Sequence, residues 1–513
     1  MRENERNLLL RRIDWRFLLP DPAPRTSLAL SEELAEPLEL ITRVSRTPGD
    51  DEVGFDLAAV VDPSPSDLVA AWSTLRPRGS VYTEWREPIP GGWKAIVRKL
   101  GAAGFEEVAC FWPRPDPARA PTTAWIPLES RAPLDYYRTR RRNTRSPWRL
   151  AGRAVRRIQW RLRTRRPVCA IARKPPVSGP RPGSTERESL LETIRRSWND
   201  WGLGPPPRRI ARLLRAAPGR SSGKVVAFLF AEDDPKPRVV VKAARTPEAG
   251  AGLEREVATL RALASRSVPV FGIPKILDSR PDGIVVETAL PGLPLPAFLD
   301  RRGYRGLASK ATTWLVELAG PDDGSRGSRA GFVDGVLQDF ETRFGDVLDP
   351  GLLRAGEELL ATLPPLRTVC EQRDFSPWNI LVTRAGALSV LDWESSETRG
   401  VPALDLIYFL TYQALYFDRA LRRGRHRASF RKSLEPSSLT GGATKECLER
   451  YSEQTNLPKA ALAPLRILAW LLHSRSEYRH LEEDAGGAPD PQRLRRSFFV
   501  DLLTEEIRYT SWA

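Results

Sequence analysis

Between residues 371 and 394 the chain reads EQRDFSPWNILVTRAGALSVLDWE, and no other stretch restricts its fold so tightly. Asp374 stands five positions before Asn379, and the asparagine runs straight into the apolar Ile380, Leu381 and Val382. TRAG at 383–386 reads as a turn and LSVL at 388–391 as a returning strand, so a loop followed by a hairpin carries Asp392 back toward Asn379. Two carboxylates and a carboxamide are hard oxygen donors of the kind magnesium prefers. Moving a phosphoryl group from ATP to a hydroxyl needs a carboxylate near the attacking oxygen, and metal ligands that hold the phosphates in line with it. Asp374 is the candidate base, and Asn379 and Asp392 are the candidate magnesium ligands.

The stretch before this loop supplies further pieces. KVVAFLFAEDDPKPRVVVKAAR at 224–245 reads as two strands joined by a charged turn, with Lys242 near the end of the second. A lysine on a buried strand is costly unless an anion meets it, and nucleotide phosphates are such an anion. GLEREVATLRALA follows as a helix carrying Glu254 and Glu256, either of which can orient the lysine; Glu256 is the inward-facing choice. GIVVETALPGLPL at 283–295 reads as a strand running into a hinge, where main-chain groups near Glu287, Thr288 and Ala289 offer an adenine edge its hydrogen bonds. PGRSSGKVV at 218–226 is not a P-loop: only three residues part Gly219 from Gly223-Lys224, and no Ser or Thr follows the lysine.

Taken together, VVVKAAR, EREVATLRAL, QRDFSPWNIL, VLDWE and GVPALDLIYFL resemble the aminoglycoside phosphotransferase and choline kinase family, across about 190 residues. The resemblance implies an α+β protein-kinase-like bilobal domain. It implies that Lys242 binds ATP phosphates with support from Glu256, that Asp374 is the base, and that Asn379 and Asp392 hold magnesium. Asp405 falls at a position that stabilises the loop. Where the family carries His-Gly before the aspartate, this chain has Gln372 and Arg373. Glutamine is expected to replace the histidine's hydrogen bond, and Arg373 to lower the pKa of Asp374 and weaken it as a base. A non-catalytic pseudokinase scaffold is the competing reading. Tyr408, Tyr412, Tyr416 and Trp470, on later helices, are read either as cleft lining or as core.

The N-terminal part alternates strand and helix patterns: FDLAAVVD, PSDLVAAWSTL, GSVYTEW, GGWKAIVRKLGAAG and FEEVACFWP. That order resembles the later half of class I S-adenosylmethionine-dependent methyltransferases and implies an α/β Rossmann-like domain over 1–176. TSLALSEELAEPLEL has no glycine where a backbone must approach a cofactor, which predicts a scaffold or recognition module; a working methyltransferase is the alternative. From Arg138 to Arg166 there are thirteen arginines and no acid, and 147–166 reads as a basic amphipathic helix. It docks on its own protein, meets an anionic membrane surface, or, least favoured, meets nucleic acid. Residues 177–189 read as a linker, and 190–513 as the kinase-like domain, with lobes at about 190–290 and 291–513.

The net charge of +16 suits an anionic partner rather than a cationic acceptor. The acceptor is expected to be a small-molecule hydroxyl on a sugar, aminocyclitol, amino alcohol or lipid-linked glycan. Four scattered cysteines, and the lack of a signal peptide or membrane span, place the expected site in the cytoplasm or at the membrane periphery.

Overall fold

The computed structural model describes residues 3–47, 54–141, 167–176, 189–216, 223–232, 234–327, 330–345, 347, 349–485 and 487–512. The basic helix read at 147–166 and nearly all of the linker lie outside them. The chain divides into two compact units, Met1–Gly250 with Leu277–Ala289, and Ala251–Ile276 with Leu290–Ala513.

The first unit is built on one twelve-stranded sheet. In chain order its strands are β1 (Thr26–Ala29), β2 (Arg43–Ser45), β3 (Phe55–Val61), β4 (Leu75–Trp85), β5 (Glu106–Arg114), β6 (Ala124–Pro127), β7 (Val168–Arg173), β8 (Ile210–Ala216), β9 (Lys224–Ala231), β10 (Val239–Ala244), β11 (Ile276–Arg280) and β12 (Ile284–Thr288). Their order across the sheet is β11-β12-β10-β9-β8-β6-β5-β7-β4-β3-β1-β2. β2, β1, β3 and β4 run parallel, with helices Glu32–Glu39 and Pro65–Thr74 as crossovers. β7 lies antiparallel between β4 and β5.

The strands FDLAAVV and VVVKAA form where their apolar runs predict, because each is covered on both faces. The sequence did not reveal β6 and β8, which pair through Ala124 with Arg215 and Trp125 with Leu214. That pairing carries one sheet across the boundary read at 177–189. The strands of the N-terminal part and those around Lys242 therefore share a unit. A core containing Trp15, Tyr82, Trp125, Trp198, Leu214, Leu229 and Val286 extends beneath the whole span.

The N-terminal segment reinforces this continuity. Arg245, just past β10, sends Nε and Nη2 to the two oxygens of Asp14, each at 2.8 Å, and both side chains are buried. Trp15 stacks on Tyr82 with centroids 3.6 Å apart. Beyond β1 the chain reverses from β2 to β3, the kind of switch point where open α/β sheets place ligands. Here Arg12 and Arg86 both pair with Glu33 and Glu84, Arg12 Nη2 lies 2.8 Å from a Glu84 oxygen, and Tyr82 donates to Glu84 at 2.7 Å.

The second unit is mostly helical. Its short strands are β13 (Leu293–Pro294), β14 (Arg326–Gly327), β15 (Leu366–Arg367), β16 (Val369–Glu371), β17 (Ile380–Val382), β18 (Leu388–Val390) and β19 (Glu397–Gly400). β17 and β18 form the antiparallel hairpin expected around TRAG, and β13 adds to its edge. Gly272 packs against this hairpin and accepts from Val390 N–H at 2.7 Å; its φ of +77° and the Leu388 carbonyl 2.2 Å from any added Cβ admit glycine only. Helices Tyr304–Ala319, Leu404–Phe417, Leu439–Gln454, Leu462–Ala485 and Phe498–Trp512 enclose the core. Among the described residues no helix is long and apolar enough to cross a membrane.

Candidate active site

The loop from Glu371 to Asn379 is held from both ends. Phe375 is fully buried, stacked on Trp314 at 5.3 Å, and anchors the middle of the loop in the core. Asp405, on the first turn of helix Leu404–Phe417, accepts from the N–H groups of Gln372 at 2.6 Å and Arg373 at 2.8 Å. Those two bonds bring Arg373 through a left-handed conformation, φ +66°. Gln372 is fully buried, and both ends of its amide are hydrogen-bonded. Its Nε2 donates to the carbonyls of Leu391, at 3.0 Å, and Asp392, while its Oε1 accepts from Asp374 N–H at 2.8 Å. One side chain thus ties the aspartate of the loop to the aspartate of the hairpin.

Asn379 completes the arrangement. Its Nδ2 donates to Asp374 Oδ2 at 2.7 Å and to the Asp374 carbonyl at 3.0 Å, and its own carbonyl accepts from Leu391 N–H at 2.8 Å. With the amide nitrogen committed to Asp374, the Asn379 oxygen is the atom left to meet a cation. Asp392 follows β18 in a left-handed turn, φ +65°, and lies near enough to Asp374 to raise its pKa. Among the described residues no cluster of three or more His, Cys, Asp or Glu side chains is set to hold a metal. Magnesium is ordinarily bound by one or two protein oxygens together with substrate phosphates and water, so Asn379 and Asp392 fit it as a donor set.

The electrostatics correct one expectation. Burial, with the Asp392 charge adding to it, pushes the Asp374 carboxyl up to about 7 rather than down. Arg373 does not act on it as foreseen, because its guanidinium turns to Glu371, 3.6 Å away. Glu371 and Asp405 are both buried, and loss of solvent raises the pKa of both. Tyr408 donates to Asp374 Oδ1 at 3.4 Å, and His473 stacks on Tyr408 at 4.1 Å. Burial and the Arg373 charge keep that histidine neutral, its pKa lowered to about 3. Of the aromatic residues read as core or cleft, Trp470, Tyr408 and Tyr412 are buried and Tyr416 is half-buried.

In the first unit, Lys242 lies opposite Val226 on β9 and Val285 on β12, and is almost wholly buried. Its Nζ meets Glu287 Oε1 at 3.1 Å, a partner the sequence reading had assigned only a main-chain role. Glu287 is a cross-strand neighbour of Val240 on β10, which explains the contact. Thr288 sits opposite Val239, and the N–H of Ala289 is donated to the Arg238 carbonyl at 3.0 Å. In the second unit, Glu256 is fully buried and accepts from Trp393 N–H at 3.0 Å, bracing the residue after Asp392.

No curated protein matches the chain. Solved structures similar to it include the GDP complex of aminoglycoside 2'-phosphotransferase-IIIa, at 16% identity and TM-score 0.40, over 63% of this chain and 99% of that one. Choline kinase LicA from Streptococcus pneumoniae aligns at 16% identity and TM-score 0.37, over 61% of this chain and 99% of that one. A thermostable mutant of aminoglycoside phosphotransferase APH(4)-Ia in a ternary complex with ADP and hygromycin B aligns at 13% identity and TM-score 0.37, over 62% of this chain and 98% of that one. Residues 214–437, the segment holding Lys242, Glu256, Glu287, Asp374, Asn379 and Asp392, match the phosphotransferase enzyme family, APH.

Proposed function

We propose that the protein is a kinase of a small-molecule alcohol, using ATP and magnesium. The observation that carries this reading is the linked trio of the second unit: Asn379 bonded to Asp374 at 2.7 Å, and Gln372 bonded to both Asp374 and the Asp392 carbonyl. In this reading the acceptor's hydroxyl oxygen bonds to the γ-phosphorus while the bond from that phosphorus to the β,γ-bridging oxygen breaks. Asp374 takes the hydroxyl proton, and ADP leaves with the bonding pair. Asn379 and Asp392 would hold magnesium, whose charge offsets that of the phosphates. Lys242 would bind nucleotide phosphates, held in position by Glu287, while Glu256 steadies the Asp392 turn through Trp393. The carbonyl of Ala289 and main-chain groups of Glu287 and Thr288 would meet the adenine.

For the N-terminal part, the scaffold reading is favoured over a working methyltransferase. Arg12 and Arg86 fill the switch-point end of β4 with ion pairs to Glu33 and Glu84, and Glu32 and Glu33 give helix Glu32–Glu39, which follows β1, an acidic first turn. The methyltransferase-like resemblance and the anionic membrane surface proposed for 147–166 rest on the sequence alone.

The reading is tested by incubating the full chain with ATP, magnesium and a library of alcohols, with products read by mass spectrometry. We expect one phosphate added to an acceptor, and none when magnesium is chelated. ATP binding with no product from any alcohol would leave the pseudokinase scaffold in its place.

A further inference from the structure

We propose that Trp378 is a specificity-determining platform that seats the apolar face of a neutral sugar ring and so presents one ring hydroxyl to Asp374. The inference rests on the phosphotransferase reading and deepens it by naming the acceptor class. Trp378 lies within the loop itself, between the candidate base and Asn379, yet it is 37% exposed while Phe375 three residues earlier is fully buried. Leaving an indole in water forfeits the free energy of burying it, and a flat ligand restores that burial.

The ring is also held rigidly. Pro377 fixes the backbone before it, and the side chain of the next residue, Asn379, is bonded to Asp374. Tyr412 meets the indole edge-on at 5.2 Å, and Tyr416 flanks it at 5.6 Å. Tyr412 in turn lies 4.6 Å from Tyr408, whose hydroxyl reaches Asp374. An unbroken aromatic row therefore runs from the exposed indole to the carboxylate that would take the proton.

The charges around the row point to a neutral occupant. The Arg422 charge acts on Tyr416, which opposes a positively charged acceptor. Glu477, the other carboxylate besides Asp374 felt by Tyr412, is already bonded by Ser497 Oγ and by the N–H groups of Phe498 and Phe499. Asp374 is then the carboxylate that faces the acceptor along the row, placed to take a hydroxyl proton, and an indole face suits the carbon–hydrogen face of a pyranose.

The test compares kcat/KM for methyl glucopyranoside, open-chain glucitol and choline in the full chain and its variants. The wild type should favour the cyclic sugar. Trp378→Ala should lower the cyclic-to-open-chain ratio about tenfold, mainly through KM, and Trp378→Tyr should restore most of it. Tyr416→Ala, away from the loop, should lower the same ratio in the same direction and keeps the idea testable if the loop variant does not fold. A ratio indifferent to both positions would overturn the proposal, as would choline being the substrate that depends on Trp378. If no alcohol is phosphorylated by the wild type, it is the phosphotransferase reading that fails.

Discussion

Replacing Asp374 by asparagine is expected to lower phosphate transfer by about 10²–10⁴-fold while leaving ATP binding and stability close to wild type. The substitution keeps the shape and an oxygen that can accept from Asn379 Nδ2, which now sits 2.7 Å away, but removes the group that takes the hydroxyl proton. Stability should not fall, and should rise slightly at neutral pH. Burial and the Asp392 charge already push the Asp374 carboxyl up to about 7, so its ionised form is the uncomfortable one. Steady-state transfer, ATP calorimetry and thermal melting on one preparation check all three. Transfer at the wild-type rate would remove Asp374 from the role of base.

The second large effect lies far from the chemistry. Asp14→Ala should destabilise the first unit by about 3–5 kcal/mol, the usual consequence of removing one partner of a buried ion pair. Asp14 has both oxygens bound by Arg245 at 2.8 Å, and Arg16 and Arg11 also act on it. Without it, three guanidinium groups in poorly solvated surroundings lose that carboxylate. The paired change Asp14→Leu with Arg245→Met should recover only part of the loss, because Arg11 and Arg16 stay buried without that carboxylate. Urea unfolding followed by fluorescence measures both variants. A loss below about 1 kcal/mol for Asp14→Ala would place this contact with weak surface pairs.

These two predictions mark what the sequence disclosed and what it hid. The spacing from Asp374 to Asn379 and the hairpin ending on Asp392 are local features, fixed by a turn and a short ladder, and they were legible residue by residue. So were β3, β4, β5, β9 and β10, whose apolar runs are bounded by turn residues. The Asp14–Arg245 pair joins residues 231 positions apart, and the Tyr408–Asp374 bond spans 34; no periodicity encodes such contacts. The join of β6 to β8 was hidden for a related reason: AWIP is four residues long, and its partner strand lies beyond the linker segment. The Lys242–Glu287 contact required knowing that β12, rather than the following helix alone, lies beside β10. The sign of the Asp374 shift was misjudged because adjacency in sequence was taken for adjacency of charge. A left-handed Arg373 sends its side chain to Glu371 instead.

The central claim concerns oxygen atoms around one cation, and the most direct measurement is anomalous diffraction from crystals grown with manganese, as a substitute for magnesium, and a non-hydrolysable ATP analogue. The account predicts a single strong peak within coordination distance, about 2.1 Å, of both the Asn379 carboxamide oxygen and an Asp392 carboxylate oxygen, bridged to the nucleotide phosphates. Nucleotide bound with the metal held by other groups, and either of these oxygens outside its coordination shell, would contradict it.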